Sequence, residues 1–472
     1  MKRKRRIGIV FAVIVCYIAM VCLPYIKQGG VTHKTEADFE QSDFYSDHAG
    51  KDRAVILFRN EEALTERLRL ISQASERIVL STFDFHADNS GTKMLAALHD
   101  AAKRGVEIQI LIDGYSYLMN TQGEINFQAL GTMDTVTIKV YNPVNLLKPT
   151  KLMARLHDKY LLVDDTAYIL GGRNTYDYFL GEETNYKNYD WDVMVTCEEA
   201  DEASSLLQVE DYFQSVWKLP DCKVVMNDMP ASKRGKEKIE GARAELDSLY
   251  QDMQTTHQDW FEPVDYTQMT VETNQIRLLS NPIEAKVKEP VLFYNLTELL
   301  GQAEGGILFH TPYILCNDYM MERLTALCTA NGNVTMMTNS VANNGNPFGA
   351  MDYEIHKPKI LDTGLQILEY DQGVSYHGKC FTAGDRLTGV GSFNWDMRSA
   401  YLDTELMLVI DSVPLTAMMR EYMETYENDA LVVKDASTYD LADGQVPQEI
   451  SKKRETRIRL LKPFDWLLRY LL

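Results

Sequence analysis

The sequence has few cysteines, and none of them is arranged to bind a metal. Seven occur in 472 residues: Cys16 and Cys22 lie in an apolar run, and Cys197, Cys222, Cys316, Cys328 and Cys380 are scattered. No Cys-x-x-Cys pair or Cys/His cluster has zinc-like spacing, so neither a metal centre nor a disulfide framework is expected. Positive charge is also in short supply, with 48 Lys and Arg against 68 Asp and Glu and a net charge of -20. Enzymes of nucleic acid need an extended positive surface to meet a polyphosphate backbone, so this balance argues against a nuclease. Low-complexity tracts are absent too, and the length is ample for two packed cores.

What is present is a short pattern that occurs twice, 220 residues apart. The first copy reads His157-Asp158-Lys159 and then Gly171-Gly172-Arg173-Asn174. The second reads His377-Gly378-Lys379 and then Gly391-Ser392-Phe393-Asn394. Lysine follows histidine by two in both, and the later offsets to glycine and asparagine also agree. Residues at i and i+2 of a strand share a face, so each histidine and its lysine can address one ligand. An imidazole works as nucleophile or proton donor near neutral pH, and an ammonium supplies fixed charge for phosphate oxygens. The glycine turn and its asparagine add close backbone and amide hydrogen bonds. Each piece alone is an ordinary turn or core feature; the duplication is what points to phosphoryl-group chemistry that requires no metal.

These residues resemble the phospholipase D superfamily, whose signature is His-x-Lys, four residues, Asp, then a Gly-Gly/Ser turn with Asn. The first copy fits with His157, Lys159 and Asp164. In the second, Gly384 takes the aspartate position and Asp385 follows, so Asp164 has no counterpart; the resemblance counts it among the catalytic residues, and a carboxylate at a strand end reads equally as a turn cap or the partner of a cation. The resemblance continues through Trp395-Asp396-Met397-Arg398-Ser399 and Thr404-Glu405-Leu406, where an acid orients the catalytic histidine. The matching stretch is Asp190-Trp191-Asp192-Val193-Met194-Val195, and it pairs Asp192 with Glu405 after a connection seven residues longer.

Around both copies, strand-like and helix-like runs alternate. Ala54–Phe58, Glu61–Ala74, Ile78–Phe85, Thr92–Arg104 and Glu107–Ile112 are echoed by Ile276–Leu279, Val291–Leu300, Gly306–Ile314, Tyr319–Ala330 and Val334–Thr338, and Asn339–Asn346 reads as a loop. The expected class is α/β, with two similar phospholipase D-like domains, each a sheet flanked by helices, and the site between them. The divisions are 1–30 (basic leader and anchor), 50–217 (first domain), 218–275 (linker), 276–432 (second domain) and 433–472 (basic tail).

Lys2 to Arg6 are all basic, and Ile7–Ile26 is free of charge. A helix of about 20 residues at roughly 1.5 Å each spans a bilayer. An uncleaved anchor would keep the leader in the cytoplasm and the rest of the chain outside; a cleaved signal peptide is the rival reading. The tail combines cations with Phe464, Trp466 and Tyr470, and it reads either as an interfacial segment or as a helix packed on its own domain.

The resemblance is closest to bacterial cardiolipin synthases. It implies a phosphatidyltransferase acting on phospholipids at a membrane, with His157 as nucleophile and His377 as general acid and base, roles that can be exchanged. Lys159, Lys379, Asn174, Asn394 and Ser392 would hold the phosphate, and Asp192 and Glu405 would orient the histidines. A hydrolase releasing phosphatidic acid and a silent lipid-binding relative are the alternatives. No cofactor or nucleic-acid partner is implied.

Overall fold

The computed structural model describes residues 2–183, 187–198, 200 and 203–472. Of the features read from sequence, residue 1 and the side chains of residues 2–5 of the leader, and residues 184–186 of the long connection after the first signature, lie outside the described residues.

Two nine-stranded mixed sheets share the order of seven strands; the remaining two lie one at each edge of the first sheet and together at one edge of the second. In the first, the strands run in the spatial order Arg53–Leu57, Asp192–Thr196, Ala167–Gly171, Tyr160–Val163, Arg77–Thr82, Glu107–Asp113 and Val136–Tyr141. The second repeats this as Gln275–Ser280, Leu406–Asp411, Leu387–Gly391, Cys380–Ala383, Ile307–His310, Val334–Asn339 and Gln366–Tyr370. The chain is therefore α/β, built from two similar units.

The central strands are apolar at nearly every position because both faces of each sheet are covered. Their residues still sort by the two-residue period of a strand. Tyr160 and Leu162 enter an apolar layer shared by the two sheets, whereas Leu161 and Val163 turn to the first unit's outer helices. In the second unit Leu406, Leu408 and Ile410 face the shared layer, and Met407 and Val409 face outward. The sheets thus lie face to face, with helices such as Asn60–Gln73 and Asn89–Lys103 outside the first and Val291–Gly301 and Asp318–Ala330 outside the second.

The stretch 218–275, expected to be a linker, is built into the first unit. Cys222–Val225 and Val271–Glu272 add its two edge strands. Helix Lys233–Thr256 buries Ile239, Ala242, Leu246, Tyr250 and Met253 while its charged start stays in solvent. Those five residues recur every three or four positions, the stripe of a helix that packs on one side.

Among the described residues one helix, Lys2–Ile26, contains a stretch, Ile9–Ile26, that is long and apolar enough to cross a membrane. The tail packs on its own domain: Ile458 is buried, His356 Nε2 lies 3.1 Å from Asp465, and Arg469 Nε lies 3.3 Å from Asp352. Phe464 and Trp466 nevertheless remain exposed.

Candidate active site

Each signature histidine ends a short extended segment that leads into a central strand. The residue before it is clamped twice. Leu156 donates its N–H to Asp113 Oδ2 (2.9 Å) and forms a parallel bridge with Thr404 of the second unit. Tyr376 donates its N–H to Asn339 Oδ1 (2.9 Å), and Ser375–Tyr376 pairs in parallel with Asn188–Tyr189 of the first unit. Asp113 and Asn339 close the matching strands Glu107–Asp113 and Val334–Asn339. Neither clamp was foreseen, because a polar residue at a strand end is an unremarkable sequence signal.

These exchanged bridges carry an acid across to each imidazole. Glu405 follows Thr404, and its Oε1 lies 2.8 Å from His157 Nδ1. Asp190 follows Tyr189, and its Oδ2 lies 2.6 Å from His377 Nδ1. Each signature histidine is therefore oriented by the unit to which it does not belong. With Nδ1 engaged by the acid, Nε2 of His157 is the ring nitrogen left for chemistry, while Nε2 of His377 lies 3.1 Å from the Lys379 ammonium.

The pairing of Asp192 with Glu405 needs correction by two residues. Gly171 lies opposite Asp192 in its sheet and Gly391 lies opposite Met407, which makes Asp190 the counterpart of Glu405. Asp192 is instead the buried counter-ion of Arg67 (2.9 Å) and Arg173 (3.2 Å). The signal was present in the sequence: Arg173 stands where the second copy has Phe393, and a buried guanidinium needs an acid.

The lysines converge with the histidines. Lys159 and Lys379 are 2% and 1% exposed, and each ammonium donates to the carbonyl of its own copy's histidine. Lys379 also lies 3.6 Å from Asp190. The charge of Lys379 acts on His157 and that of Lys159 on His377, so the two signatures form one electrostatic site. Both imidazoles keep 14% of their side-chain surface exposed and remain reachable. Asn174 and Asn394 are buried, and the Oδ1 of each has no hydrogen-bond partner.

Two further expectations fall away from the centre. Ser392 does not present its hydroxyl to a phosphate; it donates to Glu405 Oε2, and Ser399 donates to Oε1 at 2.7 Å. In the first unit Gly172 leaves room for Asp190, whose Oδ1 would lie 2.2 Å from an added Cβ. Asp164 follows the far end of strand Tyr160–Val163, seven residues and about 20 Å of extended chain from His157. Its carboxylate accepts the backbone N–H groups of Ser75, Glu76 and Arg77 at 2.9 to 3.0 Å. Asp164 has φ 48° and Gly384 has φ 57°. The shared requirement is a left-handed turn, met once by a capping aspartate and once by glycine.

Burial sets the protonation of the site. It lowers both histidines, His377 to about 3, with Lys379 adding to the effect and Asp190 opposing it. For His157, burial is joined by Lys159 and Lys379. Burial lowers Lys159 to about 7 against the pull of Glu405. Asp190 resists burial because Lys379 and His377 hold it at about 2, whereas burial pushes Glu405 up to about 8 despite Lys159. The crowding of cations favours an anion between the rings, and a bound phosphodiester would restore their charge.

The family model described as "Cardiolipin synthase, PLD-like domain" matches residues 68–217 and 296–427, more than half of the chain. Cardiolipin synthase C of Escherichia coli strain K12 is 25% identical, over 90% of this chain and 98% of that protein. A cardiolipin synthase of Clostridium perfringens strain SM101 is 22% identical, over 86% of this chain and 76% of that protein. Among solved structures, the phosphatidylserine synthase of Haemophilus influenzae Rd KW20 superposes with a TM-score of 0.64 at 16% identity, covering 93% of this chain and 99% of that one, and so shares the fold. With both signature copies inside the matched regions, the chain belongs to the cardiolipin synthase, phospholipase D-like family.

Proposed function

We propose that this protein is a phosphatidyltransferase of the cardiolipin synthase type, joining two phospholipids such as phosphatidylglycerol through a phosphatidyl-histidine intermediate. The observation that supports it best is the reciprocal orientation of His157 by Glu405 and of His377 by Asp190, at 2.8 and 2.6 Å.

In this reading His157 Nε2 attacks the phosphorus, and the bond from phosphorus to the departing glycerol oxygen breaks. His377, protonated once the diester anion sits beside it, gives that oxygen its proton. The incoming lipid hydroxyl then loses its proton to His377 and attacks the same phosphorus, which frees His157. Lys159 and Lys379 balance charge on the non-bridging oxygens. The buried amides of Asn174 and Asn394, each with an unpartnered end, add hydrogen bonds to the same oxygens. Asp190 and Glu405 are positioning residues, and neither Asp164 nor Ser392 touches the substrate.

We place the enzyme at a membrane, with Ile9–Ile26 spanning it and the two units on the side opposite the basic leader. Phospholipid is then both substrate and surroundings, and the acidic surface makes nucleic acid an unfavourable partner.

The test is to incubate purified protein with phosphatidylglycerol and identify the products. Cardiolipin with an equivalent of glycerol is expected; phosphatidic acid alone would make it a hydrolase, and no product a binding protein. His157→Ala and His377→Ala should each abolish turnover in folded protein, and full activity in either would refute the two-histidine mechanism.

A further inference from the structure

We propose that the turn carrying Leu146 and Leu147 is a membrane-inserted wedge, which seats the catalytic body in the same leaflet that the outer half of the N-terminal span crosses. This rests on the reading that Ile9–Ile26 spans a bilayer.

The body does not merely sit on top of that helix. Tyr17, Val21 and Tyr25, spaced by four, form the stripe of the helix turned toward the protein, and Tyr25 is fully buried. The Tyr25 hydroxyl donates to the Thr150 carbonyl at 2.7 Å, and the Tyr17 hydroxyl donates to the Leu146 carbonyl at 2.9 Å. The segment from Leu146 to Thr150 therefore runs alongside the helix from Tyr25 down to Tyr17.

Depth decides the matter. Tyr17 lies about 13 Å along the axis from Ile26, the end of the apolar stretch. If the turn stayed in water, only the helix before Tyr17 would remain in hydrocarbon, about half of what a bilayer needs. A span that uses its full apolar length must carry Leu146 and Leu147 into the lipid beside it.

The turn suits that place. Leu146 is 67% and Leu147 91% exposed. Two leucines in solvent would mean little alone, but backbone polar groups in hydrocarbon must find partners. Here the Leu147 N–H donates to Asn145 Oδ1 and the Lys148 N–H to the Asn145 carbonyl, both at 2.9 Å. Tyr17 takes care of the Leu146 carbonyl. Behind the turn, Lys148, Lys151 and Lys223 line a cavity of about 740 Å³ shared with Asp221 and Arg155, a cationic neighbour for lipid phosphates. Across the helix, Gln28 donates to the Tyr470 carbonyl, and Arg398 joins the carbonyls of Met153 and Leu471. The tail with its exposed Phe464 and Trp466 thus flanks the same helix end, where amphipathic rings favour the interface.

The experiment measures depth in the full chain reconstituted into vesicles of phosphatidylglycerol and phosphatidylcholine. Cys16 is the exposed cysteine among the described residues and reports the span when labelled with an environment-sensitive fluorophore. In a Cys16→Ser background, Leu147→Cys reports the turn, and Val446→Cys, 82% exposed and placed elsewhere, reports solvent. The expected result is that the labels at 16 and 147 lose most of their fluorescence to lipids brominated on the acyl chain and resist aqueous iodide, with position 446 doing the reverse. A label at 147 that iodide quenches, while the label at 16 still answers to bromolipid, would overturn the wedge and leave the span standing. Iodide quenching at 16 would overturn the span, and the wedge with it.

Discussion

The two units superimpose strand for strand at the site, yet they treat the layer beneath it in opposite ways. In the first, Arg67, Asp192 and Arg173 form a buried charge cluster, and Arg173 also donates to the carbonyls of Leu57 and Phe58. At the positions of Arg173 and Asp192 the second unit has Phe393 and Met407, both in its apolar core. The turn after the central strand differs likewise, with Asp164 capping backbone N–H groups in one unit and Gly384 in the other. Histidine, lysine and asparagine are the same in both. The difference teaches that the histidine, lysine and asparagine of the signature are held alike in both units, while the support underneath needs only to hold the strand in place.

Four substitutions probe how deep this comparison runs. Asp190→Asn should have the largest effect, because it removes an ionised carboxylate from His377; kcat should fall about 10³- to 10⁴-fold, with a far-ultraviolet spectrum like that of the native protein. A loss below tenfold would show that His377 needs no such partner. Asp192→Met, which copies the second unit into the first, leaves two guanidiniums buried without a counter-ion and should cost about 3–5 kcal/mol in urea unfolding. Stability equal to the parent would mean the cluster is dispensable.

Glu405→Gln should be milder than its Asp190 counterpart. Glu405 is pushed up to about 8, so near neutrality the empty site already holds it as a neutral acid, which glutamine imitates. A kcat loss of about 10- to 100-fold is expected. The pH dependence has a definite sign. Between the ordinary value of 4.5 and about 8 the unfolded chain has released the Glu405 proton that the folded protein keeps. Native stability should therefore decline relative to Glu405→Gln as pH rises through that window, and thermal melts with no such decline across it would show that the burial effect is absent. The smallest change belongs to Asp164→Gly, which makes the first turn like the second: about 1–2 kcal/mol of stability, with turnover retained. Loss of turnover in folded Asp164→Gly would return that carboxylate to the chemistry.

Much of the architecture was legible because the duplicated pattern and the alternating runs carry it directly; the helix expected over Val291–Leu300, for instance, is Val291–Gly301. The candidate site was legible where a residue's partner lies in its own motif, as for His157 with Lys159. It was not legible where the partner comes from the other unit. Asp190 and Asp192 are equally good acids in one dimension, and the apolar run starting at Val193 made Asp192 resemble Glu405 before Leu406. Only the sheet register separates them. The role of Asp164 stayed open between turn cap and chemistry because its φ of 48° and its backbone partners at 75–77 do not show in a string of letters. The segment 218–275 looked like a connection because its charge obscured a helical stripe.

The reciprocal bridges, Leu156 to Thr404 and Tyr376 to Tyr189, have the form of an isologous contact about a local two-fold axis, in which each half offers the other what it receives. One half on its own would carry an imidazole with no acid and an acid with no imidazole. On the proposed mechanism, a complete site therefore needs both halves together.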